Sequence, residues 1–91
     1  MKNKPLVSIL IPTYNRADYL GQSLDSALAQ TYPNIEIIVH DDASTDATPT
    51  LLARYHDPRL RIIRTNKNHG MIGGWNYIVG KSCGEYIKFL A

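Results

Sequence analysis

Apolar residues along the chain arrive in blocks whose period changes from one block to the next. Residues 6–11, LVSILI, form a near-continuous aliphatic run, the pattern of a strand buried on both faces. Pro12 is expected to end it, because proline donates nothing to a sheet ladder. Asn15 is then placed to cap a helix, with Asp18 as an acid in its first turn. Tyr19, Leu20, Leu24, Ala27 and Leu28 recur at helical spacing as far as about Gln30. After a turn at 32–34, residues 35–39 (IEIIV) predict a second buried strand that runs into His40, Asp41 and Asp42. Ser44, Thr45 and Asp46 supply successive cap side chains for a second helix, in which Pro49 is tolerated only in the first turn. Leu51, Leu52 and Tyr55 give that helix its apolar face, and residues 56–58 break it.

Residues 60–63 predict a third strand, more exposed than the others, because arginines alternate with its aliphatics. A polar, glycine-rich loop over 66–74 leads into a third helix that starts near Met71 or Gly73 and ends at Lys81. Gly73, Gly74 and Gly80 each weaken that helix by about 1 kcal/mol relative to alanine. A turn at 82–84 precedes a fourth strand over 85–90. The order β-α-β-α-β-α-β predicts an α/β, Rossmann-like parallel sheet wrapped by helices, with right-handed crossovers. No repeat, linker or low-complexity tract divides it, so residues 1–91 are expected as a single partial domain. It reads as partial because the last strand reaches Ala91, and ligands of such sheets lie just beyond the carboxyl ends of strands.

Composition excludes several classes. The chain is 44% hydrophobic and 20% charged, with a formal charge of +2, which is ordinary globular composition. Its basic residues are scattered apart from Arg59, Arg61 and Arg64, so no nucleic-acid partner is expected. The longest apolar run is far short of the ~20 residues of a membrane span. The charged N-terminus is followed by no adequate apolar region or cleavage site for a signal peptide. One cysteine, Cys83, precludes an internal disulfide and is expected as a small buried residue of a cytosolic or cytosol-facing protein.

Three segments leave strand ends and should meet at one sheet edge. Pro12, Thr13, Tyr14 and Asn15 bring a bend, a hydroxyl, an aromatic face and an amide, and Tyr14 suits stacking on a flat heteroaromatic ring. Asp41 and Asp42 repel each other and point to opposite sides of a strand. One is expected to accept hydrogen bonds from a base or ribose while the other holds the loop. Asn68 to Asn76 (NHGMIGGWN) is a glycine-rich helix start that turns amides toward phosphate, yet it matches neither a P-loop nor the dinucleotide fingerprint. His69 is expected as a loop histidine with no metal, and Trp75 as a core residue.

Taken together, these motifs resemble the family-2 glycosyltransferases, an inverting group with the GT-A fold. The resemblance rests on residues 7–16 (VSILIPTYNR), 24–32, 39–48 (VHDDASTDAT, with Ala43 where glycine is commoner), Asn68, Gly70 and Asn76, and 84–90 (GEYIKFL). It covers essentially the whole chain, in order. It implies the N-terminal, nucleotide-sugar-binding part of a GT-A domain. Pro12, Thr13, Tyr14 and Asn15 would then contact the nucleobase, with Tyr14 stacking. Asp42 would accept a hydrogen bond from the base, and Asn68, Gly70 and Asn76 would border the ribose and diphosphate. Gly74 and Trp75 stand where the family often carries Ala-Arg.

The family's Asp-x-Asp motif follows its fourth strand, so the resemblance implies Mg2+ or Mn2+ for the full-length protein with ligands outside these residues. The expected reaction is sugar transfer from a nucleotide donor, UDP-linked, to a hydroxyl of an acceptor saccharide or lipid-linked saccharide. The 91 residues alone are expected to be inactive and to self-associate through an exposed sheet edge. The alternatives are a non-catalytic nucleotide-binding module and an unrelated phosphate-binding α/β domain.

Overall fold

A computed structural model describes residues 4–90. Its elements are β1 (Val7–Thr13), α1 (Ala17–Leu28), β2 (Ile35–Asp42), α2 (Thr48–Leu52), β3 (Leu60–Thr65), α3 (Gly70–Lys81) and β4 (Tyr86–Phe89). All strands pair in parallel, in the order β3-β2-β1-β4. This is the Rossmann-like α/β sheet that the hydrophobic pattern predicts, and the arrangement implied for the first strands of a GT-A domain.

The chain winds outward from β1 through β2 to β3, then returns to the far side of β1 for β4. Right-handed crossovers in opposite directions must put helices on opposite faces. Accordingly Ile9, Ile11, Ile37 and Val39 pack under Leu20, Leu24 and Ala27 of α1 and Leu52 of α2. The alternate residues Leu10 and Ile38 pack under Ile78 of α3. With both faces covered, β1 and β2 are apolar without interruption over 9–11 and 37–39.

Pro12 does not end β1; pairing continues through Thr13, which lies opposite Asp41. Strand parity explains the tolerance. Val7 N–H donates toward β2, to Asn34 O, whereas Leu10 O accepts toward β4, from Leu90 N–H. Pro12 shares the parity of Leu10, and β4 pairing stops at Leu10. Its missing donor therefore faces a side with no partner strand.

The end of the sheet opposite the strand carboxyl termini is closed by a polar knot. Glu36 Oε2 accepts from Ser8 Oγ at 2.5 Å and from Cys83 N–H at 2.6 Å, and Arg61 reaches Glu36 Oε1 at 3.3 Å. Burial alone would raise the Glu36 pKa, but the bonds from Ser8 and Cys83 and the Arg61 charge hold it below the ordinary value. Cys83 is exposed and not a core residue, because only its backbone is used here. Ser8 Oγ also accepts Gly84 N–H at 2.8 Å. No helix among the described residues is long and apolar enough to cross a membrane.

A side chain at Gly84 has no room. Its Cβ would lie against Ser8 Oγ, 2.7 Å from Ser8 N and 3.0 Å from Leu6 O. Gly84→Ala is expected to cost at least about 2 kcal/mol of stability, because backbone atoms cannot step aside as a side chain can. Urea unfolding of the two proteins checks this, and an unchanged midpoint would contradict it.

Candidate functional site

The reversal of winding at β1 leaves a crevice between β1 and β4, where neither crossover covers the strand ends. A cleft of ≈ 750 Å³ occupies it. The end of β1 supplies Pro12, Thr13 and Tyr14, and the start of α1 supplies Arg16 and Tyr19. β2 contributes His40 and Asp42, and the turn into α3 contributes Asn68 and Gly70. Gly74 and Trp75 of α3 and Phe89 and Leu90 at the end of β4 complete the wall. Six expected residues thus meet on one cleft: Pro12, Thr13, Tyr14, Asp42, Asn68 and Gly70. Asn15 and Asn76 are not on it.

Asn15 does not line the cleft and is not the α1 cap. It takes a left-handed conformation, φ 52°, and Arg16 is the capping residue, without a side-chain cap bond. The Asn15 carboxamide instead laces two loops together. Its Oδ1 accepts the N–H groups of Thr45 and Asp46 at 2.7 and 3.2 Å, while the Asn15 backbone N–H donates to Ser44 Oγ at 2.9 Å. Asp46 returns the contact by accepting Ala17 N–H at 3.2 Å, and it also holds Thr48 N–H at 2.9 Å. One acid therefore serves the first turns of two helices. Asn76 is exposed on the outer side of α3.

The paired acids diverge as strand alternation requires. Asp41 turns away from the cleft, where it accepts Ser44 N–H at 3.0 Å and pairs with Arg64. Asp42, 6% exposed, faces the cleft. Its Oδ1 accepts from His69 Nδ1 at 2.8 Å and Thr65 Oγ1 at 3.2 Å, and Oδ2 accepts His69 N–H at 2.8 Å. Burial would raise the Asp42 pKa, but the two His69 bonds and the Thr65 hydroxyl hold it below the ordinary carboxylate value. Asn68 continues the same anchor, accepting Gly70 N–H at 2.7 Å where Gly70 adopts φ 73° and opens α3.

His40, unflagged by the sequence, is fully buried beside Asp42. Its Nε2 lies 3.0 Å from Thr65 Oγ1. Asp42 Oδ1 and Lys67 O also lie around that hydroxyl, as acceptors. His40 Nδ1 lies beside Gly74 of α3. Among the described residues, the buried side-chain atoms without a hydrogen-bond partner are Nδ1 of His40 and Oγ1 of Thr13. Both residues line the cleft. Buried polar groups elsewhere in proteins are paired, and an orphan costs about 1–3 kcal/mol.

His40, Asp42 and His69 bring ligand atoms within 4.8 Å of one another. The donor set does not fit Mg2+ or Mn2+ bound to a diphosphate. It offers two imidazoles and a carboxylate already committed to His69 and Thr65, where those hard cations take oxygen ligands and water. Trp75 also departs from expectation. It is exposed on the cleft wall and not in the core, stacked on Phe89 with ring centroids 5.0 Å apart.

The family described as "Glycosyl transferase family 2" matches residues 8–90. An uncharacterized glycosyltransferase of Rickettsia typhi is 48% identical over 87 residues, covering 96% of this chain and 27% of the relative. The succinoglycan biosynthesis protein ExoO of Rhizobium meliloti is 41% identical over 86 residues, 94% of this chain and 25% of the relative. A mannosyltransferase from Pyrobaculum calidifontis, solved with GDP-Man and Mn2+, superposes with a TM-score of 0.84 at 31% identity, over 93% of this chain and 26% of that one. TarS 1-349 of S. aureus, solved with UDP-GlcNAc, gives a TM-score of 0.84 at 30% identity, over 92% and 25%. The chain thus spans about a quarter of the length of these proteins.

The loop geometry makes two tests. Ala43 holds φ 64°, a region that costs a residue with a Cβ about 1 kcal/mol. Ala43→Gly should therefore raise stability by up to about 1 kcal/mol, less the added chain entropy of glycine, and calorimetric melting measures it. Burial holds the His40 pKa below 6.5, with the Asp42 charge opposing only in part. As pH falls below that ordinary value the unfolded chain takes the proton first, so stability declines until the folded pKa is passed. Urea midpoints should fall between pH 7.5 and pH 5, and less steeply in a His40→Gln variant.

Proposed function

The chain belongs to glycosyl transferase family 2, and from that premise we propose that it forms the nucleotide-binding part of a site that takes a UDP-linked sugar. The observation that carries this is the meeting of Pro12, Thr13, Tyr14, Asp42, Asn68 and Gly70 on one cleft at the winding reversal. In this reading the base stacks on Tyr14. It donates an N–H to Asp42 Oδ2, which holds one strong bond and has lone-pair capacity to spare. Asn68 and Gly70 border the ribose. Asp41, Asn15 and Asp46 do not touch the ligand; they hold the two loops that do.

The whole protein would transfer the sugar to a hydroxyl of a saccharide or lipid-linked saccharide with inversion. The relation to a succinoglycan biosynthesis protein supports a polysaccharide acceptor. A divalent ion, when bound, would neutralise the diphosphate leaving group, and its ligands and the base that deprotonates the acceptor lie outside the residues described here. The isolated 91 residues would hold the nucleoside and perform no transfer.

Calorimetric titration of UDP and GDP into the protein as its gene encodes it, with and without Mn2+, tests the reading. UDP binding that strengthens with Mn2+ is expected, and a folded protein that binds neither nucleotide would overturn it. Asp42→Ala should weaken UDP binding more than Asp41→Ala, by about tenfold for one lost charge-assisted bond. Equal losses would show that neither acid touches the base.

A further inference from the structure

We propose that His40, Asp42 and His69 form a binding site for a divalent cation of the Zn2+ type, distinct in its chemistry from the ion that serves a diphosphate. His69 has no second ligand near it in sequence; the fold supplies two from β2. His40 and Asp42 stand two residues apart on one face of that strand, and the turn into α3 brings His69 over them. One ligand atom from each residue lies within 4.8 Å of the other two. His69 Nδ1 is 2.8 Å, and His40 Nε2 3.7 Å, from the same oxygen, Asp42 Oδ1. Zinc bonds to nitrogen and oxygen are about 2.0–2.2 Å long, so donors at tetrahedral corners stand about 3.3 Å apart. The two distances to Asp42 bracket that edge. The imidazoles have at most about 1.5 Å to close, and the His69 side chain, 34% exposed, is free to move while His40 stays packed.

The donor set selects the cation. Two imidazoles and a carboxylate suit Zn2+ and its transition-metal neighbours, whereas Mg2+ and Mn2+ favour oxygen ligands. Ligation needs neutral imidazole and ionised carboxylate. Burial favours neutral His40, and Asp42, against the effect of its own burial, is held ionised by His69 and Thr65. An ion on His69 Nδ1 requires the Nε2–H tautomer, so the proton between His69 and Asp42 gives way to the metal and neither group loses its partner. Tyr77 of α3 packs on both rings, with centroids 4.8 Å from His40 and 5.2 Å from His69, and so holds the planes of their lone pairs. Thr65 Oγ1, 3.0 Å from His40 Nε2 and 3.2 Å from Asp42 Oδ1, stands beside the donors as a hydrogen-bond partner for them or for a bound water. Such an ion draws on the carboxylate that the donor reading gives to the base. On that reading, Zn2+ and UDP oppose each other at Asp42.

The test is calorimetric titration of Zn2+ into the gene-encoded protein held in excess Mn2+, which fills sites that take hard cations, beside its His69→Gln and His40→Gln variants. Zn2+ binding is expected that weakens at least about tenfold on loss of either imidazole. Co2+ in place of Zn2+ should give the strong visible absorption of four-coordinate cobalt, and His69→Gln should lack it. Equal Zn2+ affinity in wild type and His69→Gln would overturn the inference, as would no Zn2+ binding under Mn2+. Circular dichroism of each variant separates a lost ligand from a lost fold, and His69→Gln carries the comparison should His40→Gln unfold. Repeating the titration with UDP tests the consequence: Zn2+ should weaken UDP binding in the wild type and not in His69→Gln. Zn2+ bound through His69 with UDP affinity unchanged, or with no nucleotide bound at all, supports the metal site and counts against the donor reading alone.

Discussion

β1 has a strand on each side and a helix layer on each face, and that position governs everything else in the molecule. Because crossovers are right-handed, a chain that leaves β1 in one direction and comes back on its other side must place its helices on both faces. The crevice at the carboxyl end of β1 follows from that geometry without any further instruction. Near-continuous aliphatic sequence in β1 and β2 is the cost of burial on both faces, and it leaves the strand ends as the place where polar side chains can gather. His40, Asp41 and Asp42 extend the buried run by three residues, so the chain had to satisfy them internally.

It does so by dividing labour between the two faces. Asp41, with Arg64 and Ser44, fixes the loop that leaves β2, while Asp42, with His69 and Thr65, fixes the loop that leaves β3. Asn15 joins the loop after β1 to the loop after β2. Three loops from three strand ends are thus tied to one another by side chains whose carboxylates and carboxamides accept backbone N–H groups. This arrangement spends polar side chains on geometry and leaves Tyr14, Thr13 and Asp42 on the wall of the cleft. The residues of the site are few because the rest of the polar sequence holds them still.

β1 and β2 were legible because a doubly buried strand is a short, continuous aliphatic run bounded by turn residues. Pro12, Tyr14 and Asp42 could be placed because each stands at the end of such a strand. Asn15 was misread as a helix cap, since its partners lie about 30 residues away and local spacing carries no trace of them. Trp75 was misread for a different reason. Ile72, Trp75 and Val79 make a helical stripe that looks like a core face, but the face that packs is marked by Gly74 and Ile78. Glycine adds nothing to a hydrophobic pattern, so the true contact line was silent and the exposed one loud. His40 was invisible because a single histidine within a strand gives no sign of which of its nitrogens lacks a partner.

The place of β4 in the sheet has a bearing on how the molecule is made. Val7 pairs with Tyr86, almost the full length of the chain away, whereas β1 and β2 are neighbours both in space and in order. Contacts between distant segments form late, after local ones have paid for the chain entropy they require. During synthesis, β1, α1, β2, α2 and β3 can assemble while the residues of β4 are still to emerge. The wall formed by Phe89 and Leu90 therefore arrives after β1, β2 and β3. Until it does, the edge of β1 stands open along Ser8, Leu10 and Pro12, and the nascent protein has its loops in place before it has anywhere to put a ligand.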